Sequence, residues 1–289
     1  MEDTVLACER HGSGEPLVLV HGITHRRQAW YPVLDRLTEH REVILVDLPG
    51  HGQSPAFDTN GRPVVEALRA EFEQFLSDQE LDRPHVAGNS LGGRVALEAG
   101  AAGHARSVTA LSPAGFWRDE SSFTYTRRIF TGAAAASERL NDRAALLSRT
   151  RAGRALMYGL LTAHPGRVSA DHARGDFEAF KYARPALRTI LAAAAPFEAE
   201  IPHHVPVTVA WAARDRVLPV WQARVAQERL PHAEHVMMAG VGHVPMFDNP
   251  ELVAQILLRG SMPTAIVAPI SSAPSRRGRR PSRGSVATA

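Results

Sequence analysis

Short apolar runs recur along the first part of the chain, and most are followed by a segment whose apolar residues have helical spacing. The runs predicted as strands are Pro16–Val20, Glu42–Val46, His85–Ala87 and Ser107–Leu111. The segments predicted as helices are Arg27–Leu37, Val64–Leu76 and Leu91–Ala102. Strands that are apolar throughout are typical of a parallel sheet covered on both faces. The alternation therefore predicts an α/β fold with a mostly parallel, doubly wound sheet.

The alternation breaks between residues 115 and 201, where Ala-rich and Arg-rich helical patterns replace buried strands. Afterwards the predicted elements are a strand at Val205–Ala212, a helix at Val220–Leu230, a strand at His235–Met238 and a helix at Pro250–Leu258. A connection of about 90 residues between two neighbouring strands is far longer than an ordinary loop. We therefore predict a helical cap inserted into the α/β domain.

These patterns divide the chain into four parts. Residues 1–114 and 202–260 are expected to form the two parts of the core domain, and 115–201 the cap. Residues 261–289 are rich in Ser, Pro, Arg and Ala and contain no acidic residue, so we expect a disordered tail.

The charge of the chain is distributed unevenly. Its formal net charge is +3 and its pI about 9.5, which alone would suggest an anionic partner such as nucleic acid. The predicted tail carries five arginines, at positions 276, 277, 279, 280 and 283, so the rest of the chain has a net charge near −2. Any contact with nucleic acid is therefore expected through the tail alone.

Composition excludes several other classes of protein. With 44% hydrophobic and 22% charged residues, the chain resembles a soluble globular protein. Cys8 is the only cysteine, which rules out an intrachain disulfide and any metal site that needs two thiolates. The first residues are acidic, and no apolar run approaches 18 residues. We expect a cytoplasmic protein without membrane contact, whose oligomeric state stays open.

The clearest chemical motif lies where the predicted pattern changes from strand to helix. Gly88-Asn-Ser90-Leu-Gly92 has the form G-x-S-x-G, in which two glycines permit a sharp turn and expose the serine hydroxyl at its tip. The helix that follows directs its first backbone N–H groups to the same place. Ser90 is therefore the candidate nucleophile.

A serine nucleophile needs a base and a group that orients the base. Among fourteen histidines, His243 lies in a glycine-bracketed loop after the last predicted strand. Asp215 follows the strand predicted at 205–212, which gives the chain order Ser90, Asp215, His243. Asp248 is a rival acid, but we expect it to serve as a helix N-cap. Ser112 and Pro113, which follow another strand, cannot supply an acid.

Several separated segments together resemble the α/β-hydrolase family, specifically its cap-bearing members with a serine nucleophile. The matching segments are His21-Gly22, Asp47-Leu-Pro-Gly-His-Gly-Gln-Ser54, the motif around Ser90, Asp215-Arg-Val-Leu-Pro219 and Gly242-His243. They span about residues 15–258. The resemblance implies backbone N–H donors for an oxyanion at Ile23 and Leu91, and a lid formed by residues near 115–200. It implies neither a cofactor nor a metal.

The implied activity is cleavage of a carboxylic ester or a related acyl substrate through an acyl-enzyme. Aromatic residues concentrated in the cap favour an apolar substrate pocket or, equally, a small core of the cap itself. Serine at position 90, where a carboxylate would be required, argues against epoxide hydrolase and dehalogenase chemistry.

Two alternatives stay open at this stage. One is a C–C bond hydrolase of a vinylogous diketone acid, with a substrate carboxylate bound by cap arginines: Arg127, Arg128, Arg184 and Arg188. The other is a receptor that binds a small ligand without turnover. Asp47 and His21 are expected to have structural roles, and His25 is a candidate lining residue of the pocket.

Overall fold

The computed structural model describes residues 5–140 and 143–262. Its strands are β1 (Cys8–Gly12), β2 (Pro16–Val20), β3 (Glu42–Val46), β4 (His85–Asn89), β5 (Ser107–Leu111), β6 (Val207–Ala212) and β7 (Glu234–Met238). Its α-helices are α1 (Tyr31–Thr38), α2 (Val64–Asp78), α3 (Leu91–Ala101), α4 (Glu120–Arg139), α5 (Ala144–Arg149), α6 (Arg151–Tyr158), α7 (Ala170–Ala192), α8 (Trp221–Arg229) and α9 (Pro250–Gly260). Most of the predicted tail lies outside the described residues.

The strands form one sheet in the order β1-β3-β2-β4-β5-β6-β7. Six of them run parallel, and β1 pairs antiparallel with β3 at one edge. The predicted α/β fold with a mostly parallel sheet is confirmed. Edge strand β1 was not predicted, because its sequence CERHG is polar and only half-buried.

Helices cover both faces of the sheet because successive strand residues point to opposite sides. In β2, Leu17 and Leu19 pack with α1 and α9, whereas Val18 and Val20 pack with α2, α3 and α8. The apolar runs thus supply side chains to two cores, which confirms the doubly wound arrangement. None of the helices among residues 5–140 and 143–262 is long and apolar enough to cross a membrane.

Helices α4 to α7 lie between β5 and β6, and we call them the inserted helices. The chain leaves the core and returns to it at adjacent points, where Phe197 N–H donates to the Gly115 carbonyl at 2.8 Å. The Arg229 guanidinium donates to the carbonyls of both residues, at 3.1 Å and 3.0 Å. The two connections are therefore bound to each other and to α8.

A second arginine, Arg94 of α3, holds the returning connection. Its guanidinium donates to the carbonyls of Ala195 and Pro196, and its Nε to Glu98 Oε1 at 2.7 Å. Burial lowers the pKa of Arg94, and the Glu98 carboxylate opposes that effect. Both side chains are 9% exposed, so this is a buried ion pair within one helix.

We expect Arg94→Met to lower the free energy of unfolding by about 3–5 kcal/mol, because it leaves Glu98 buried without a cation. The matched control is Arg69→Met, which breaks an exposed pair with Glu73 at the same i,i+4 spacing. That change is expected to cost about 1 kcal/mol or less. Urea unfolding measures the free energy of unfolding of both variants. Equally small decreases would contradict the view that the Arg94–Glu98 pair stabilises the returning connection.

Two buried histidines pack together in the loops after β2 and β3. The ring centroids of His21 and His51 lie 5.4 Å apart. His21 donates through Nδ1 to the Gly22 carbonyl and accepts through Nε2 from Leu48 N–H, so both ring nitrogens are used by the neutral form. His51 donates through Nδ1 to the Pro49 carbonyl at 2.9 Å. Burial lowers the pKa of His51 to about 4.

This depressed pKa predicts loss of stability in acid. In the unfolded chain a histidine has a pKa of about 6.5, so between pH 6.5 and pH 4 the unfolded chain binds a proton that folded His51 does not. The free energy of unfolding should fall by about 1.4 kcal/mol per pH unit in that window because of His51 alone. His51→Asn keeps a donor without titrating and should flatten the slope, whereas exposed His40→Asn should leave the slope unchanged.

Candidate active site

The turn that carries Ser90 is forced by close backbone packing. Ser90 has φ 57° and ψ −115°, between the end of β4 and the start of α3. A Cβ atom on Gly88 would lie 2.2 Å from backbone atoms of Gly92, and one on Gly92 would lie 2.1 Å from the carbonyl oxygen of Val20. Both glycines of the predicted motif are thus required by space. The backbone of Ser90 is fixed by hydrogen bonds to Leu111, Arg94 and Ala114.

Asp215 and His243 are brought into direct contact. His243 Nδ1 lies 2.7 Å from Asp215 Oδ2 and donates to it. The other oxygen, Oδ1, accepts from the N–H groups of Val217 and Leu218 at 2.9 Å and 2.7 Å. Asp215 is 7% exposed and His243 is 2% exposed. The carboxylate therefore selects the tautomer in which His243 Nε2 is free to accept a proton.

Asn89 joins Ser90 to the loop of His243. Its side-chain amide donates to the His243 carbonyl at 2.9 Å and to the Leu111 carbonyl at 3.1 Å. Within the described residues, no hydrogen bond joins the Ser90 hydroxyl to the His243 ring. Sequence reasoning missed Asn89, although a side-chain amide at the end of a buried strand was a usable signal.

The loop after β2 turns directly beside Ser90. His25 N–H donates to the Gly22 carbonyl at 3.1 Å, and Thr24 has φ 66°. A Cβ atom on Gly22 would lie 3.2 Å from the Ser90 Cβ. Among the described residues, the N–H groups of Ile23 and Leu91 donate to no other protein group. Both residues line the same cavity as Ser90.

The cavity extends from Ser90 between the core helices α2 and α3 and the inserted helices. Its apolar lining includes Ile23, Val64, Val65, Leu68, Leu91, Val95, Trp117, Phe123, Phe130, Ile190, Leu191 and Leu218. Its charged lining residues are Arg69, Arg94 and Glu98. The free volume is about 70 Å³, which is below the roughly 300–1,000 Å³ of typical small-ligand pockets.

Three aromatic residues of the insertion support the first of the two uses that the sequence left open, which is a lining of the pocket. Trp117, Phe123 and Phe130 line the cavity. Phe116 packs instead against Phe197 and Trp211 in the main core. Tyr125 and Tyr182 are nearly half exposed and lie outside the cavity lining.

The rival acid Asp248 has a different role from the one expected. The N-cap of α9 is Asn249, whose side chain accepts from Leu252 N–H. Asp248 accepts instead from the N–H groups of Gly242, Ala163 and His164 at 2.7 to 2.8 Å. It therefore ties the loop of His243 to the segment between α6 and α7, and the expected N-cap role was wrong.

Other polar residues singled out in the sequence lie away from the cavity lining. Asp47 is fully buried and accepts hydrogen bonds from Arg27 and Gln53, as expected of a structural role. Three of the cap arginines pair with surface glutamates: Arg127 with Glu120, and Arg184 and Arg188 with Glu138. His25 faces Asp176 of α7 and does not line the cavity.

Comparison with known proteins agrees with this architecture. A model of the alpha/beta hydrolase family matches residues 17–256. The chain is 53% identical over 88 residues to (E)-2-((N-methylformamido)methylene)succinate hydrolase of Acinetobacter baylyi, a match that covers 28% of this chain and 30% of that protein. It is 33% identical over 199 residues to epoxide hydrolase EphH of Mycobacterium tuberculosis, covering 66% of this chain and 91% of the relative.

A solved structure shares the fold. A thermophilic esterase from Thermogutta terrifontis superposes with a TM-score of 0.65 and 20% sequence identity, covering 88% of this chain and 91% of that one. The sheet, the position of Ser90 and the family match over residues 17–256 lead to one conclusion. The chain belongs to the alpha/beta hydrolase family.

Proposed function

We propose that the protein is a serine hydrolase that cleaves a carboxylic ester or a related acyl compound through an acyl-enzyme. The observation that carries this proposal is the 2.7 Å contact of His243 Nδ1 with Asp215, at the same sheet edge as the strained turn of Ser90. A base held in one tautomer, at the sheet edge that also carries a serine at the tip of a tight turn, is the arrangement that activates a hydroxyl.

The reaction follows from these groups. The Ser90 hydroxyl attacks the carbonyl carbon of the ester while His243 Nε2 takes its proton. Asp215 stabilises the imidazolium, and the amides of Ile23 and Leu91 donate to the oxyanion. His243 then protonates the departing alcohol. Water, deprotonated by His243, attacks the acyl-enzyme and releases the acid and free Ser90.

The apolar cavity supports an apolar acyl group. It begins at Ser90 and is bounded by Val64, Leu68 and Val95 of the core helices and by Phe123 and Phe130 of α4. An acyl chain placed there is removed from water, which contributes about 0.8 kcal/mol for each methylene. We propose that the inserted helices act as the lid over this site.

The structure gives the C–C hydrolase alternative less support. That chemistry requires free cationic groups for a substrate carboxylate. Three of the four cap arginines are paired with glutamates. Of the two arginines that line the cavity, Arg94 is bound to Glu98 and two carbonyls, and Arg69 pairs with Glu73. Ester cleavage needs no such cation. A receptor without turnover is distinguished by the first experiment below.

Ser90→Ala should lower the turnover of p-nitrophenyl esters by about 10⁴-fold or more and abolish labelling by a fluorophosphonate. Ser77→Ala, on the exposed side of α2, is the matched control and should leave both unchanged. Ligand binding by the wild type with no ester turnover would instead indicate a receptor.

The two candidate acids are separated by the same substitution at each position. Asp215→Asn should lower kcat by about 10⁴-fold with little change in melting temperature. An amide N–H in place of the carboxylate oxygen would donate to His243 Nδ1, which leaves the ring proton on Nε2, where the base must accept one. Asp248→Asn should chiefly lower the melting temperature, because three backbone N–H groups lose their charged acceptor. The opposite pattern would assign the acid to Asp248.

The length of the cavity should set the acyl-chain preference. Leu68→Trp fills the cavity between α2 and α4, so kcat/KM for a decanoate ester should fall about tenfold or more relative to the acetate ester. Leu146→Trp is the control, because Leu146 is 65% exposed on α5 and lies outside the cavity lining. An unchanged decanoate-to-acetate ratio in Leu68→Trp would place the acyl group elsewhere.

A further inference from the structure

A buried carboxylate of the inserted helices meets the turn that presents the Ile23 amide. Asp176 of α7 is 7% exposed. Its Oδ1 accepts from Arg26 Nε at 3.0 Å, and its Oδ2 accepts from the Tyr158 hydroxyl at 2.7 Å. His25 Nδ1 lies 3.7 Å from Oδ2, and His172 Nε2 lies 3.4 Å from it. One side chain thus joins α6, α7 and the loop after β2.

Asp176 contacts the C-terminal end of the turn formed by residues 22–25. His25 closes the turn through its N–H bond to the Gly22 carbonyl, and Ile23 lies between the two bonded residues. His25 is the last residue of the turn and Arg26 follows it, and the side chains of both face Asp176. A shift of α7 would therefore pull on the backbone that carries the Ile23 amide.

The close packing of Arg26 against Gly175 is a second, independent observation that α7 and the loop after β2 have complementary surfaces. A Cβ atom at Gly175 would lie 2.1 Å from Arg26 Nη2, so the guanidinium lies against the bare helix backbone. Glycine inside a helix costs about 0.5–1 kcal/mol relative to alanine. Here that space accommodates the arginine that binds Asp176.

The surroundings of Asp176 show that the cluster is a contact between the inserted helices and the core. Burial and the Asp176 carboxylate raise the pKa of Tyr158, which keeps the hydroxyl protonated as a donor. Burial lowers the pKa of both His25 and His172, so Arg26 is the cation of the cluster. Phe247, from the loop of His243, packs edge-on against Tyr158 and His172.

We propose that Asp176 is a positioning residue that couples docking of the inserted helices to the oxyanion site. When α7 is docked, Asp176 binds Arg26 and packs against His25, and the turn presents the Ile23 amide to the carbonyl oxygen bound at Ser90. When α7 moves to admit substrate, the turn loses this support. The catalytic part of this inference rests on the proposed function, whereas the coupling of helix and turn does not.

Three variants test the coupling. Asp176→Asn removes the charge, and Gly175→Ala displaces the Arg26 guanidinium while favouring the helix. The matched control is Asp171→Asn, because Asp171 lies on the same helix with a side chain that is 94% exposed. Hydrogen exchange of the peptide covering residues 21–30 reports the turn directly, and ester kinetics report its consequence.

We expect faster exchange in residues 21–30 for Asp176→Asn and Gly175→Ala, with no change for Asp171→Asn. For Asp176→Asn, kcat should fall about ten- to thirtyfold, less than the hundredfold or more that follows loss of an oxyanion donor, with KM changed far less. Gly175→Ala should show a smaller loss in the same direction without a lower melting temperature. In an Arg26→Ala background, Gly175→Ala should have no further effect on kcat.

Unchanged exchange in residues 21–30 in both variants would overturn the coupling. A loss of kcat that only parallels a lower melting temperature, or that persists for Gly175→Ala in the Arg26→Ala background, would also overturn it. If the wild type cleaves no ester, the proposed function fails, and the exchange measurement alone still decides whether Asp176 holds the turn.

Discussion

The first turn of α3 lies so close to the end of β2 that no side chain fits between them. Gly92 faces the Val20 carbonyl, and Gly88 faces Gly92, at distances that any Cβ atom would violate. This packing places Ser90 beside the loop after β2 and holds its backbone in a left-handed conformation that costs about 1–3 kcal/mol. The remaining groups of the site assemble around this fixed point, because parallel strands bring their carboxyl ends to one edge.

Buried polar groups hold the inserted helices to that edge. Asp248 fixes the loop of His243 to the segment after α6, and Asp176 meets the loop after β2. At the opposite end, Arg94 and Arg229 bind the two connections of the insertion. Each of these charged groups makes at least one hydrogen bond to another element, and separation of the elements would remove that bond from a buried or partly buried charge. Docking of the insertion is thereby tied to the geometry of the site.

The sequence allowed prediction of elements and residues that have a recognisable local pattern. Apolar runs gave six of the seven strands, and glycine spacing located the turn of Ser90. Strand β1 was not predicted, because a partly exposed edge strand needs no apolar run. Asp215 and His243 were named from their loops, and the structure places them in contact.

Contacts between distant segments could not be predicted from local patterns. Asp176 lies about two turns inside a helix whose sequence resembles any amphipathic helix, and its partner Arg26 is 150 residues away. Asp248 precedes a helix and so looked like an N-cap, yet neighbouring Asn249 takes that role and leaves Asp248 to bind the insertion. Asn89 occupies a variable position of the motif, so its sequence position marks it only as a polar residue at a strand end, and its contact with His243 identifies what it binds.

The central claim is that Ser90 is acylated with His243 as its base, and a p-nitrophenyl carbamate tests it most directly. Carbamoyl-serine hydrolyses slowly, so the covalent product accumulates and can be located by peptide mass mapping. We expect release of one p-nitrophenol per chain, a carbamoyl group on Ser90, and a reaction that is nearly abolished in His243→Ala. A carbamoyl group on another residue, or acylation of Ser90 at an unchanged rate in His243→Ala, would contradict it.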